Sequence, residues 1–305
     1  MNTSLKLFGG VIVLGICAIL FTSSDSKGDG KVVEDESIMS FSDAYRIAMP
    51  PIPEAVDFCG EAVPLHNWDI RQRLEREVLS NTYWQSNTVL LLKRSGAYFP
   101  MIEKILEEEG VPSDFKYLAV AESGLTQAVS PAGARGMWQF MKTTATSYGL
   151  TVTGEVDNRY HIEKATRAAC TYLKKAKKEL GSWTSAAAAY NRGLAGMKRD
   201  FAKQKVTSYH DLLLNTETSR YVFRILAFKL IMSNPVEYGF QLESDDYYKP
   251  VEVEIVEVDT TVPNLAVYAK EHNTNYKTIK LLNPWLRENR LTVKTGTTYQ
   301  LKLPK

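Results

Sequence analysis

The fold is decided by the stretch PSDFKYLAVAESG, residues 112–124, in which one charged side chain interrupts an apolar pattern. Phe115, Leu118, Ala119 and Glu122 fall at i, i+3, i+4 and i+7, the spacing of one buried helix face. The first three residues of the stretch predict a helix start and its final glycine predicts the helix end. Glu122 is therefore predicted in the last turn, on a face where a carboxylate is unexpected.

Two effects disfavour the ionised form of Glu122 at that position. Apolar surroundings raise the pKa of a carboxylic acid, and so does the negative end of the helix dipole. A raised pKa suits a general acid that works near neutral pH. The alternative is a solvated surface glutamate at the edge of its helix, with the apolar face assigned one position off.

Composition defines the general class of the protein. The sequence has 305 residues, 44% of them hydrophobic and 24% charged, which is enough for two modest globular domains. The net charge of +2 gives no indication of a nucleic-acid partner. We expect a monomer without a cofactor.

Histidines and cysteines do not form a metal-binding pattern. The four histidines are scattered and have no ligand spacing among them: His66, His161, His210 and His272. Cys59 and Cys170 are one possible disulfide pair, or two buried free thiols. We therefore expect no metal site.

Residues 1–24 resemble an export segment. Lys6 precedes an apolar run at residues 7–21, and small residues that a signal peptidase accepts follow it. The run is short for a spanning helix, so a cleaved signal peptide is favoured over an N-terminal anchor. Cys17 has Ile16 before it, which disfavours lipidation. The predicted location is the periplasm, or the envelope membrane if residues 7–21 are retained.

The remaining sequence divides into four parts. Residues 25–60 are predicted to be a tether that leads into an extended segment, and 61–235 a helical domain with its core at about 100–233. A linker is predicted at 236–250 and a second domain at 251–305. Helices of the first domain are predicted at 69–79, 84–93, 100–109, 114–122, 143–148, 162–180, 184–191 and 217–232. The second domain is predicted as strand, helix, helix, strand at 251–258, 265–269, 276–282 and 298–303.

Three further motifs follow Glu122. SPAGARGMWQFM at 130–141 predicts a tight glycine loop, and it lacks the Gly-Lys-Ser/Thr sequence that binds phosphate. AYNRG at 189–193 predicts a closely packed helix that ends with Tyr190 and Asn191 facing a cleft, or with a core tyrosine. Glu217 and Tyr221 share one helix face, although Glu217 alone could be a first-turn acid favoured by the helix dipole.

Together these blocks resemble the bacterial lytic transglycosylases with a goose-lysozyme-like catalytic domain, the soluble lytic transglycosylase type. The shared signature is Glu-Ser, Ser-x-x-Gly-x-x-Gly-x-x-Gln-x-Met, Ala-Tyr-Asn-x-Gly and Glu-Thr-x-x-Tyr-Val, and all four blocks occur here in that order between residues 100 and 233. The resemblance implies a mainly α, lysozyme-like catalytic domain.

The resemblance also implies roles for the residues of the first two blocks. Glu122 matches the single catalytic acid and base. Ser130 matches a serine that polarises or positions the substrate, and Gln139 and Met141 match residues that line the sugar site. The spacing from Glu122 to Ser130 is one residue shorter than in many members of the family.

The last two blocks supply the remaining walls of the expected cleft. Tyr190 matches the tyrosine beside the catalytic acid, and Asn191 continues that wall. Glu217 and Tyr221 match the block that supports the cleft from its far side.

The implied reaction is cleavage of the β-1,4 bond between N-acetylmuramic acid and N-acetylglucosamine in peptidoglycan, with a 1,6-anhydro product. A glycosidase normally needs two carboxylates, and the sequence offers one strong candidate. The intramolecular C6 hydroxyl replaces water as the nucleophile in this family. The alternatives are a goose-type lysozyme-like hydrolase and a catalytically silent peptidoglycan-binding scaffold.

Residues 251–305 resemble a degenerate lysin motif (LysM), a small α+β domain that binds chains containing N-acetylglucosamine. The usual Gly-Asp-Ser/Thr turn is replaced by DTTVP at 259–263, which leaves glycan binding and a structural or docking role both open. Trp285 follows Asn-Pro, a position that favours packing over stacking on sugar.

Overall fold

The protein is represented by a computed structural model, and the structure describes residues 47–305. The predicted export segment and most of the predicted tether lie outside the described residues. A short hairpin, β1 (Asp57–Phe58) and β2 (Glu61–Ala62), comes first. Helices follow as α1 (Trp68–Tyr83), α2 (Gln85–Glu108), α3 (Lys116–Ser123), α4 (Lys142–Ser147), α5 (Ile162–Leu180), α6 (Trp183–Arg192), α7 (Leu194–Gln204) and α8 (Thr216–Ser233).

The C-terminal unit has the predicted order of strand, helix, helix and strand. Its elements are β3 (Val253–Val258), α9 (Leu265–Glu271), α10 (Tyr276–Leu282) and β4 (Tyr299–Pro304). The two strands pair antiparallel, with Val253 opposite Pro304 and Val258 opposite Tyr299. The mainly α fold with a small α+β unit after it is confirmed. Within residues 47–305, no helix combines the length and the apolarity needed to cross a bilayer.

Helix α2 is continuous, so the two helices predicted at 84–93 and 100–109 are one. Pro100 lies inside α2, although a proline usually ends a helix because it lacks an N–H and crowds the preceding turn. Both halves of α2 face the same core, where Leu91 and Leu92 before the proline and Ile102 after it are at most 1% exposed. Burial on both sides outweighs the missing hydrogen bond.

Helix α7 and the β1–β2 hairpin were not predicted from the sequence. Helix α7 begins directly after Gly193 and contains Gly196, so its sequence resembles a loop. The β1–β2 hairpin contacts the helical domain through Glu61, whose carboxylate accepts from the backbone N–H groups of Trp183 and Thr184 at 2.7 and 2.9 Å. This contact caps the start of α6 with a negative charge, which the helix dipole favours.

The core of the helical domain places α3 against α8. Leu118 of α3 and Val222 and Ile225 of α8 are fully buried, as is Leu74 of α1. Burying each such side chain contributes about 1.5–3 kcal/mol. The α3–α8 contact positions the last turn of α3, and therefore Glu122, against the first half of α8.

The C-terminal unit packs directly on the helical domain. Val156 of the helical domain forms a β-bridge with Leu286, and both residues belong to one apolar cluster. Trp285 is 4% exposed and stacks on His161 and Tyr299, with ring centroids 5.8 and 5.7 Å apart. The predicted packing role of Trp285 is confirmed.

The segment predicted as a linker, residues 236–250, is packed along α2. The backbone N–H of Tyr248 donates to the Lys93 carbonyl at 2.8 Å. Gly96 allows this approach, because a Cβ there would lie 2.7 Å from the Tyr248 carbonyl oxygen. The connection between the two units is therefore held to the helical domain along its course.

Candidate active site

The end of α3 defines the position of Glu122. Gly124 adopts the left-handed conformation at φ 60°, and its N–H donates to the Val120 carbonyl at 2.8 Å. Leu125 is also left-handed at φ 57° and is buried. A non-glycine residue in this region is strained by about 1–2 kcal/mol. The chain thus turns sharply just after Glu122, which lies in the last turn as predicted.

Glu122 is half-buried and accepts a hydrogen bond from the Tyr221 hydroxyl. Burial raises the pKa of Glu122 to about 7. The Tyr221 hydrogen bond and the Arg224 charge oppose the rise, while the Glu217 charge adds to it. Near neutral pH the group is therefore present in both forms and can donate or accept a proton.

Two tyrosines surround the acid and keep their protons. Burial and the Glu122 charge raise the pKa of both Tyr190 and Tyr221 well above the usual value. The Tyr190 hydroxyl donates to the Trp138 carbonyl at 2.8 Å, so this tyrosine holds the glycine loop against α6. Tyr221 contacts the acid directly, whereas Tyr190 lies near enough to Glu122 for the charge of the acid to raise the tyrosine pKa.

The glycine loop, residues 128–141, is closed at its start by Ser130. The Ser130 N–H donates to the Ala134 carbonyl at 2.9 Å, and its Oγ accepts from the Ala134 N–H at 3.0 Å. These bonds form a tight turn at Gly133. Ser130 therefore shapes the loop, and its predicted action on the substrate stays a prediction.

Gln139 and Met141 lie at the other end of the glycine loop. Gln139 is left-handed at φ 47°, and its side-chain amide donates to the carbonyls of Ala128 and Gly136 at 3.0 and 2.7 Å. These bonds use its N–H groups and leave Oε1 as the acceptor that can face a ligand. Met141 precedes α4 and is 43% exposed, so it offers an apolar surface.

A buried ion pair supports the glycine loop from below. Arg159 binds Asp157 through two N–H···O contacts of 2.9 and 2.7 Å, and both side chains are at most 5% exposed. The same guanidinium donates to the carbonyls of Gly133 and Phe140 at 3.3 Å. The backbone of Arg159 lies so close to Gly136 that a Cβ at residue 136 would be 1.9 Å from the Arg159 oxygen.

Asn191 and Glu217 are brought together at the start of α8. Asn191 Nδ2 donates to Glu217 Oε1 at 3.3 Å, and its Oδ1 accepts from the Thr218 hydroxyl at 2.9 Å. Glu217 is exposed in the first turn of α8. This pair links the end of α6 to α8 on the Tyr221 side of the acid.

Sequence reasoning missed Arg224 and Glu77. Arg224 lies one helical turn after Tyr221 and carries its charge toward Glu122. Glu77 of α1 is 1% exposed and accepts from Arg220 at 2.5 Å and from Arg224 at 3.4 Å. The i, i+3 spacing of Tyr221 and Arg224 could have indicated the arginine, but nothing in the sequence pairs it with Glu77.

Within residues 47–305, no cluster of three or more metal-ligating side chains occurs. Cys59 and Cys170 are both free thiols. The site thus contains one acid of raised pKa, Glu122, and two protonated tyrosines. A rigid loop beside them presents amide and apolar groups.

The fold and this site define a class of protein. Residues 99–212 match the family described as the transglycosylase SLT domain, and residues 254–305 match the soluble lytic transglycosylase C-terminal LysM-like domain. The chain therefore contains a region similar to SLT transglycosylase domains, followed by a LysM-like unit.

Particular relatives are similar to this chain over part of its length. Membrane-bound lytic murein transglycosylase D of Escherichia coli strain K12 is 30% identical over 183 residues, which are 58% of this chain and 40% of that protein. The protein of the same name from Escherichia coli O6:H1 strain CFT073 aligns with the same figures. The chain thus matches less than half the length of these curated relatives.

Proposed function

We propose that this protein is a peptidoglycan lytic transglycosylase that uses Glu122 as acid and then as base. It cleaves the β-1,4 bond between N-acetylmuramic acid and N-acetylglucosamine and leaves a 1,6-anhydro end. The observation that carries the proposal is the half-buried carboxyl of Glu122, which accepts from Tyr221 and has a pKa raised to about 7. The relatives, named as membrane-bound murein transglycosylases, support the substrate and an envelope location.

The first chemical step is protonation of the leaving oxygen. The carboxylic acid of Glu122 gives its proton to the glycosidic oxygen as the bond from that oxygen to C1 of the muramic acid breaks. The N-acetylglucosamine leaves with a free C4 hydroxyl. Glu122 is then a carboxylate, and the hydroxyls of Tyr190 and Tyr221 near it keep their protons.

The second step closes a ring within the same sugar. The C6 hydroxyl of the muramic acid attacks C1, and Glu122 takes the hydroxyl proton, which restores the acid. No water is consumed. Because the nucleophile belongs to the bound sugar, it has a large effective concentration and no second carboxylate is needed to activate water.

The remaining predicted residues receive positioning roles in this proposal. Gln139 offers Oε1 to the sugar and Met141 an apolar surface, while Ser130 fixes the loop that carries them. Asn191 and Glu217 form the opposite wall.

A hydrolase is the second candidate, because the charge of Glu217 reaches Glu122 and a second carboxylate could activate water.

Analysis of the products separates the two candidates. Purified sacculi are digested with the full-length protein in water enriched in heavy oxygen, and the released muropeptides are analysed by mass spectrometry. A transglycosylase yields anhydro-muramic ends without the label. Labelled reducing ends would instead establish a hydrolase, and no release of muropeptides would contradict both enzymatic candidates.

The pH dependence of the reaction provides a separate test of the acid. Since Glu122 must be protonated to donate, kcat/KM should fall as pH rises above about 7. Tyr221 lowers the Glu122 pKa by hydrogen bonding, so Tyr221→Phe should move the alkaline limb to higher pH by about one unit. A pH profile of soluble glycan-strand cleavage measures this shift.

An exposed tyrosine provides the control for Tyr221→Phe. Tyr276, 39% exposed on α10, should leave the pH profile unchanged when it is replaced by Phe. A Tyr221→Phe profile that loses rate at every pH without moving its limb would contradict the proposed contact with the acid.

A further inference from the structure

A polar cleft of about 610 Å³ opens beside the end of α3. Ser123 and Gly124, the two residues after Glu122, form one edge of it, and α1, α2 and α8 supply the other walls. Arg224 lines the cleft and also carries its charge toward Glu122. The cleft is therefore adjacent to the acid and shares residues with its surroundings. A volume of this size is typical of a ligand site.

The cleft is positively charged. The charged side chains that line it are three guanidinium groups, Arg94, Arg220 and Arg224, and one carboxylate, Glu77. Glu77 neutralises one of the three positive charges and leaves an excess of two. This excess is concentrated at one place on a protein whose net charge is only +2.

Among the residues that the structure describes, 47–305, few groups use the hydrogen-bonding capacity of these arginines. Arg220 and Arg224 each direct Nε to Glu77, and Arg94 directs Nη1 to the Gly124 carbonyl at 3.0 Å. A guanidinium has five N–H donors in a planar fork that matches a carboxylate. The terminal nitrogens of Arg220 and Arg224 are thus free to bind a ligand, and these two side chains are 28% and 32% exposed.

The buried carboxylate fixes the orientation of two of the arginines. Glu77 is 1% exposed and binds both Arg220 and Arg224, so these guanidiniums are held on a rigid wall. Rigid donors lose less conformational entropy when they bind a ligand than mobile ones do. Trp84, 62% exposed and also part of the lining, adds a flat apolar surface.

We infer that this cleft binds the carboxylates of the peptide stem carried by the muramic acid whose glycosidic bond lies at Glu122. The inference rests on the proposed function, because that function places a muramic acid next to the end of α3. The stem is attached to the same sugar whose glycosidic bond is cleaved. Its carboxylates are therefore expected close to the acid. The planar arginine forks are suited to bind carboxylates in a bidentate manner.

The test measures binding rather than turnover. The full-length Glu122→Gln variant is titrated with soluble, uncross-linked glycan fragments that carry stems, and with the same fragments after an amidase has removed the stems. Amidase treatment removes the stem and converts the lactyl amide into a free carboxylate, so the stripped fragments still carry one negative charge per muramic acid and the contribution of the stem is measured against that charge. Stem-bearing fragments should bind about tenfold more tightly, and the difference should shrink at high salt.

Arg94→Gln in the same background should reduce this stem-dependent difference to about threefold or less, since it removes one charged fork. The matched control is Arg71→Gln, which removes one positive charge from the exposed, salt-bridged side of α1 outside the cleft. The control should retain the full difference. Arg220→Gln alone would leave the buried negative charge of Glu77 with only Arg224 to balance it. The second variant therefore replaces both partners, Glu77→Gln together with Arg220→Gln.

Three outcomes would overturn the inference. Fragments with and without stems could bind equally, Arg94→Gln could weaken both equally through the Gly124 contact, or neither fragment could bind. Failure of the proposed function is distinguishable, because stem-dependent binding would then persist while wild-type protein releases no anhydro-muramic products from sacculi.

Discussion

Glu122→Gln should lower the rate of wall digestion by about a thousandfold, the middle of the range for loss of a general acid. The amide cannot donate a proton to the glycosidic oxygen, and it cannot accept one from the C6 hydroxyl. Both chemical steps of the proposed mechanism are therefore lost. Binding to sacculi should be retained, because the change keeps the shape of the side chain and removes no arginine of the adjacent cleft.

The measurement is the release of soluble muropeptides from sacculi, with a pull-down of the protein on the same sacculi. Glu108→Gln is the matched control, since Glu108 is exposed and pairs with Arg167 on the surface. Its activity should equal that of the wild type. Unchanged digestion by Glu122→Gln would remove the enzymatic interpretation of the site.

The same substitution has a predictable effect on stability. The raised pKa means that, between the ordinary carboxyl pKa and about 7, the folded protein binds a proton that the unfolded chain has released. The free energy of unfolding contributed by this group therefore falls as pH rises through that window. Glu122→Gln should accordingly be at least as stable as the wild type at pH 8, so lost activity cannot be attributed to unfolding.

Gly136→Ala should destabilise the protein by about 3 kcal/mol and lower activity about a hundredfold. The new Cβ would lie 1.9 Å from the Arg159 carbonyl oxygen, and Gly136 has φ +79°, a conformation that alanine disfavours. The backbone of Arg159 cannot move easily, because its side chain is locked to Asp157. The glycine loop must shift instead, and Gln139 shifts with it.

Gly133→Ala is the matched control, because Gly133 lies in the same loop with φ +88° and has no atom within 4 Å of an added Cβ. Only the conformational penalty of about 1–2 kcal/mol applies there. Chemical denaturation measures both free energies of unfolding. Equal losses for the two variants would mean that the Arg159 contact does not constrain the loop.

Local patterns in the sequence predicted the part of the site that depends on neighbouring residues. The end of α3, the packing of four alanines in α6 and the shared face of Glu217 and Tyr221 follow from spacing along one helix. Such periodicity is set by backbone geometry, so it can be read without knowledge of the partners. These predictions are confirmed as structure, and the catalytic and binding roles stay proposals.

The features that were missed depend on residues distant in sequence. Residue 136 must be a glycine because the backbone of Arg159 lies against it, and the partner of Arg224 is Glu77 on α1. Helix α2 continues through Pro100 because the core on both sides holds it. Contacts of this kind are set by tertiary packing, which overrides local propensity and leaves no periodic signal in the sequence.

The rigid attachment of the C-terminal unit through Trp285 and Leu286 has a geometric consequence. If both units bind one saccharide strand, a constant number of sugar units separates the binding site on the C-terminal unit from the cleaved bond. Fragments released from long strands would then differ in length by whole multiples of a repeat. Loosening that joint would blur the length distribution while leaving the chemistry of each cut unaltered.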